Sequence, residues 1–309
     1  MMSLFLLVLG FVCLIKGADF FVDGASAIAR KFNIPTVIIG LTLVAMGTSL
    51  PEASVNIAAG LHGVNEMCMA NVVGSNFFNI LVILGFSGIM TNSLPVDKEN
   101  YISIKLLISI CILLFACAID LSITRIEAGI MVIAFIFYIV SNILKAKNMD
   151  NDSVEEKETT KKFIIKLILG VIGIGLIVKG GDLVVVSASD IARSLGLSEN
   201  FIGLTIVAVG TSLPELVTSL IAIRKGEKEL AVGNVVGSNI FNILFILGLS
   251  SFINPLTFSM AALYDVIFMT LITILLFIFV KDKEKIINRK EGIIFVILYI
   301  GYIVFTFLR

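Results

Sequence analysis

The sequence contains no tryptophan, one histidine and five prolines among 309 residues. A single histidine, His62, leaves little material for a histidine-built metal centre or for histidine acid–base catalysis. Standing alone after an apolar run, it reads as a solvated loop residue. Charge is also scarce: 15% of residues are charged, against about 25% in soluble domains, which argues against a soluble enzyme. Lys and Arg number 23 and so do Asp and Glu, so there is no basic surplus to hold nucleic acid. The four cysteines, Cys13, Cys68, Cys111 and Cys117, lie in apolar stretches without C-x-x-C spacing, which disfavours disulfides and zinc sites. No nucleophile–base pair and no phosphate loop is visible, so no enzymatic activity is expected.

What is present is apolar. Hydrophobic residues make up 58% of the chain and mean hydropathy is +1.06. They come in runs of roughly twenty, the length that crosses a bilayer. Ten spans are expected, near 3–22, 34–60, 67–90, 101–119, 126–144, 163–186, 200–223, 230–253, 262–280 and 292–308. The first run lacks a basic start and a small-residue cleavage site, so it reads as a span and not a signal peptide. The one long polar segment, 145–162, reads as a flexible linker.

The chain also repeats itself. Residues 40–52, GLTLVAMGTSLPE, return at 203–215 as GLTIVAVGTSLPE, an offset of 163 with 11 of 13 positions identical. At the same offset, 70–87 matches 233–250 at 14 of 18 positions. KGADFFVDGASAIAR and KGGDLVVVSASDIAR agree in the same way. The expected units are therefore 1–144, the linker 145–162, and 163–309, with five spans in each repeat. An odd number of spans inverts the second copy, the common plan of secondary transporters. The expected class is an all-α integral membrane protein of ten helices in two inverted five-helix repeats. Placing both termini outside leaves only Arg125, Arg193 and Arg309 among outer positively charged residues, with Lys16 and Lys179 inside spans. The remaining Lys and Arg then lie in inner segments, including the 145–162 linker, which satisfies the positive-inside rule.

Glu52 and Glu215 occupy equivalent places near the middle of apolar spans. A charge there costs at least about 2.5–3.5 kcal/mol, so each needs a compensating partner. No Lys or Arg stands nearby in sequence, and a bound cation is the natural partner. A protonated glutamate serving packing alone leaves the duplication unexplained. Pro51 and Pro214 remove a helical hydrogen bond from the carbonyls of Gly47 and Gly210, so both helices should break around Ala45–Ser49 and Ala208–Ser212. Carbonyls, hydroxyls and carboxylates are hard oxygen ligands, suited to Na+, Ca2+ or Mg2+. Thr48 and Glu52 are spaced i, i+4, as are Thr211 and Glu215; helix back-bonding is the plainer use of such threonines. Asn71, Ser75 and Asn79 line one helix face, and Asn234, Ser238 and Asn242 repeat it. Such a stripe either glues helices together or ligates ions. Ser75, Asn79, Ser238 and Asn242 are placed nearer the ions, and Asn71, Asn76, Asn234 and Asn239 in packing. Asp19 and Asp182 follow Lys16 and Lys179 by three residues, the spacing of a helical ion pair.

GTSLPE and GNVVGSN-x-FN, each duplicated, resemble the repeat motifs of the cation/Ca2+ exchanger superfamily, and most of all the compact prokaryotic Na+/Ca2+ exchangers. The likeness covers essentially the whole chain. It implies that Glu52 and Glu215 bridge Ca2+ among four helices, with Asn79 and Asn242 at the middle of the site. It implies Na+ sites built from Thr48, Ser49, Ser75, Thr211, Ser212 and Ser238, with the carbonyls of Ala45 and Ala208. It also implies that the first and sixth spans slide past the rest to alternate access. Na+ and Ca2+ are then the transported ions, with no cofactor, no obligatory protein partner and a monomer in the plasma membrane. About three Na+ per Ca2+ would make exchange electrogenic. Relatives that carry K+ have Asp where this chain has Asn242, which argues against K+ dependence. The proton-coupled branch has an acidic second motif that is missing here, yet Ca2+/H+ exchange through the same glutamates remains the alternative. An ion channel is a further class, which trans-side Na+ dependence separates. The short 145–162 segment has no room for the Ca2+-sensing domains of animal members.

Overall fold

Backbone amides inside a bilayer have no water to bond, so apolar runs of this length close their hydrogen bonds internally as helices. The computed structural model, which describes residues 2–63, 65–148, 159–195, 208–281 and 284–308, is built in this way. In chain order its helices are α1 (Met2–Phe32), α2 (Thr36–Thr48), α3 (Leu50–Leu61), α4 (Asn65–Thr91), α5 (Lys98–Ala118), α6 (Arg125–Asn148), α7 (Thr160–Ser194), α8 (Ala208–Thr211), α9 (Leu213–Arg224), α10 (Lys228–Ile253), α11 (Met260–Val280) and α12 (Arg289–Leu308). Seven are long and apolar enough to cross a membrane singly, and α2 with α3 adds an eighth span bent by 51°. The expected span at 200–223 lies partly outside the described residues. Helix α12 carries Arg289, Lys290 and Glu291 in its first turn.

Three helices run four or more residues past their expected C-terminal ends. Helix α1 continues to Phe32, α6 to Asn148 and α7 to Ser194. Each extension carries charge (Asp23, Arg30 and Lys31 in α1), so the apolar run ends before the helix does. The linker shortens accordingly, and residues 149–158 of it lie outside the described residues.

Helices α4 and α10 form the centre: 83% and 94% of their spanning windows are buried, against 44% or less for the other single spans. Both depart from α-helical winding, with wider i→i+5 turns over Phe78–Leu84 and Asn242–Leu247. Such turns recur at functional sites. Helix α2 presses on α10 at backbone distance. A Cβ on Gly40 would fall 2.5 Å from the Leu230 carbonyl oxygen, and one on Gly237 2.5 Å from that of Leu41.

Helices α1 and α7 run antiparallel along a seam of small residues, Gly10 on Gly180, Gly17 on Gly173 and Gly24 on Gly170. Leu14, Ala18, Phe21, Val22, Ile177 and Val184 pack there in an apolar cluster apart from the main core. A Cβ at Gly17 would meet the Gly173 carbonyl at 2.8 Å, a backbone atom that cannot rotate away. Gly17→Val is expected to cost about 1–3 kcal/mol through overpacking. Thermal unfolding in detergent should show this, with Gly175→Val unchanged because nothing described lies within 4 Å of Gly175.

Two short antiparallel ribbons tie the ends of the bundle. Strand β1 (Ser93–Pro95) pairs with β4 (Ile286–Asn288), and β2 (Ser122–Ile123) pairs with β3 (Leu256–Thr257). Strand β3 stands one repeat after β1, and β4 one repeat after β2, so each half supplies a strand to both ribbons. Asp97 begins α5 by accepting from the backbone N–H groups of Glu99 and Asn100. Glu99 in turn pairs with Lys145 of α6 at 3.0 Å.

One expected ion pair has a different partner. Asp182 lies 3.7 Å from Lys179, as its spacing suggests. Asp19 does not pair with Lys16; its carboxylate meets Lys225 Nζ at 2.8 Å, and so does that of Asp23. Lys16 is exposed, whereas the turn after α9 brings Lys225 onto the face of α1 that carries both aspartates.

Candidate ion-binding site

The breaks fall where the prolines place them. Ser49 and Ser212 leave helical geometry, at φ −84°, ψ 13° and φ −92°, ψ 4°. Pro51 and Pro214 sit in the first turns of α3 and α9, where a missing N–H costs nothing. The Ala45 carbonyl still accepts from the N–H of Ser49 at 3.1 Å, and also from Ser238 Oγ at 3.3 Å. The carbonyl whose regular partner is removed is that of Gly47. Ala208 opens the short helix α8, opposite in the repeat to Ala45.

Each break holds the carboxylate of the other half. Ser49 Oγ donates to Glu215 Oε1 at 2.6 Å, and Ser212 Oγ donates to Glu52 Oε1 at 3.2 Å. Both glutamates are buried to 1% exposure or less. The central helices cross in the same reciprocal way. Asn79 Nδ2 donates to Asn239 Oδ1 at 2.9 Å, and Asn242 Nδ2 donates to Asn76 Oδ1 at 3.1 Å. Each bond uses one amide N–H, and the amide oxygens of Asn79 and Asn242 are left over.

The remaining acceptors are the chemical signature of the place. Of eleven buried side-chain atoms without a hydrogen-bond partner among the described residues, five belong to the candidate residues: Glu52 Oε2, Glu215 Oε2, Asn79 Oδ1, Asn242 Oδ1 and Ser75 Oγ. Buried polar atoms are rarely left so, because each costs about 1–3 kcal/mol. All five are oxygens, from both repeats, the donor set of a hard cation. Among the described residues no three His, Cys, Asp or Glu side chains gather, so amides and hydroxyls must supply part of any coordination shell.

Every candidate side chain is buried: Thr48, Ser49, Glu52, Ser75 and Asn79 in one half, Thr211, Ser212, Glu215, Ser238 and Asn242 in the other. Two further residues, not singled out in the sequence, support them. Asn71 Nδ2 donates to Asn56 Oδ1 at 2.9 Å, and Asn234 Nδ2 donates to Ser219 Oγ at 3.0 Å. Asn56 and Ser219 stand four residues after Glu52 and Glu215 on the same helix face, the spacing that could have revealed them. Asn234 also accepts from Thr48 Oγ1 at 3.1 Å, which fastens α2 and α9 to α10.

The model of the sodium/calcium exchanger protein family matches residues 2–144 and 165–308. The chain belongs to this family. Its compact, membrane-embedded form is that of the prokaryotic exchangers. The sodium/calcium exchanger MaX1 of Methanosarcina acetivorans is 32% identical over 98% of this chain and 97% of its own. The putative antiporter CaxA of Alkalimonas amylolytica is 39% identical, with 97% of each chain covered. In three dimensions the exchanger NCX_Mj, solved after soaking in 10 mM Na+ without Ca2+, superposes with a TM-score of 0.87 at 33% identity, covering 98% of both chains. In this exchanger the family match covers both halves and passes over 145–164, so the duplicated motifs fall inside it.

Proposed function

We propose that this protein is a secondary active antiporter that exchanges Na+ for Ca2+ by alternating access. The supporting observation is the set of five unpartnered buried oxygens, one from each glutamate among them. Ca2+ lies between Glu52 and Glu215, with the amide oxygens of Asn79 and Asn242 completing the middle of the site. Na+ is held by the hydroxyls of Thr48, Ser49, Ser75, Thr211, Ser212 and Ser238 and by the carbonyls of Ala45 and Ala208. Two carboxylates supply about −2 charge, which one Ca2+ or a set of Na+ neutralises, but not both together. Covered charge lets the carrier change face, and that mutual exclusion couples the two fluxes. The family match favours Na+ over H+ as the coupling ion.

The frame for this cycle is ten spans in two inverted repeats. The reciprocal serine–glutamate and asparagine bonds are those of a pseudo-two-fold axis through the site. Helices α1 and α7 slide together against the remaining helices. The termini lie outside the plasma membrane, the 145–162 segment lies in the cytoplasm, and one chain suffices for transport.

The test is uptake of radiolabelled Ca2+ into proteoliposomes loaded with Na+, K+ or choline. Uptake is expected with internal Na+ only. Uptake indifferent to internal Na+ would place proton coupling or a channel ahead, and a pH jump in Na+-free medium would then separate those two.

A further inference from the structure

Helix α1 touches the rest of the protein through apolar contacts that a sliding helix can exchange for others. It also makes one set of contacts that it cannot. Lys225 Nζ, in the turn between α9 and α10, lies 2.8 Å from Asp19 Oδ1, 2.8 Å from Asp23 Oδ1 and 2.8 Å from the Asp19 carbonyl oxygen. Two residues on, Glu227 approaches Arg30 of α1 at 3.9 Å. The Lys225 side chain is only 24% exposed, so water screens these bonds incompletely. Moving α1 along its axis by one helical turn, about 5.4 Å, would break all of them.

The repeat lacks this device on its other side. At the offset of 163, His62 stands for Lys225, Val186 for Asp23 and Asp182 for Asp19. Asp182 is 59% exposed beside Lys179 of its own helix, and Val186 is 58% exposed. Two halves that matched fully would leave two mirror-related states of equal energy. A clip present in one half only removes that equality.

We propose that Lys225, bridging Asp19 and Asp23, is a one-sided ionic clip that fastens α1 to the α9–α10 turn and biases the carrier toward the conformation seen here. The inference rests on the sliding of α1 and α7 in the proposed exchange cycle. It concerns how the two faces are weighted, and none of its three side chains belongs to the ion site.

The experiment compares full-length wild type, Lys225→Ala, Lys225→Arg and Asp19→Asn with Asp23→Asn. In sealed, oriented vesicles one measures the half-saturating Ca2+ at each face. Lys225→Ala and the double Asn variant are expected to change the ratio of the two values roughly fivefold in the same direction. Lys225→Arg should stay near wild type. Installing the mirror clip, His62→Lys with Val186→Asp, should move the ratio the opposite way. An unchanged ratio in Lys225→Ala, or a shift of the same sign from the mirror clip, would overturn the proposal. A second readout is independent of transport. Nitroxide labels at positions 32 and 224, in a Cys13→Ser background, should give a narrow distance distribution that broadens in Lys225→Ala. Absence of Na+-dependent Ca2+ flux in wild type would refute the exchange reading, while the distance measurement would still decide the clip.

Discussion

Glu52→Gln and Glu215→Gln are each expected to abolish Na+-driven Ca2+ uptake. The amide keeps the volume of the carboxyl and keeps an oxygen to accept from Ser212 or Ser49, so the surrounding hydrogen bonds survive. What is lost, in the proposed site, is one of two charges facing the ion. Removing one partner from a buried charge pair costs about 3–5 kcal/mol, or roughly two to four orders of magnitude in affinity. The empty protein should respond in the opposite sense. Without a bound cation, the carboxylates are the costliest groups in the membrane interior, so each Gln variant should melt no lower than wild type in ion-free buffer. Calorimetric titration with Ca2+ and a thermal scan together check both halves of this result. A variant that still transports with unchanged affinity would remove that glutamate from the site.

The second large effect concerns membrane potential. Three Na+ moving against one Ca2+ carry one net charge, and each 100 mV then contributes about 2.3 kcal/mol. That energy corresponds to roughly a fiftyfold change in the Ca2+ gradient sustained at equilibrium. Proteoliposomes clamped with a K+ gradient and valinomycin should show this, an interior-positive potential raising Ca2+ accumulation at a fixed Na+ gradient. A gradient that ignores the clamp would mean two Na+ per Ca2+.

Much of this molecule is legible in its sequence because its governing features are local. A run of twenty apolar residues fixes a helix wherever it stands. A proline directly before a buried glutamate fixes a break. The offset of 163 between GTSLPE and its copy is enough to pair the two glutamates as equivalent positions. Features that depend on distant partners are hidden. Lys16 stands three residues from Asp19, yet the true partner, Lys225, lies 206 residues away in the chain. Asn56 and Ser219 escape notice because they differ between the repeats and fall just beyond the duplicated motifs, which end at Glu52 and Glu215. The widened turns at Phe78–Leu84 and Asn242–Leu247 differ from ordinary helix by one residue per turn, a change that apolar periodicity does not record. Helices α1, α6 and α7 outrun their apolar limits because hydropathy stops where charge begins, whereas backbone hydrogen bonding continues.

The crossed bonds between Ser212 and Glu52, and between Ser49 and Glu215, have a consequence for how the chain is made. Glu52 leaves the ribosome about 160 residues before the serine that caps it. At roughly 5–20 residues per second that interval lasts about ten to thirty seconds. For that time the first half is a membrane insert with an uncapped carboxylate at its centre. A similar interval separates the strands of the first ribbon, because β1 must wait for β4. The first half cannot reach its final form during its own synthesis, and the bundle closes only after most of the chain has entered the bilayer. A stalled or truncated product would therefore expose an acidic, half-built groove to lipid, the kind of surface by which membrane quality control distinguishes unfinished chains from finished ones.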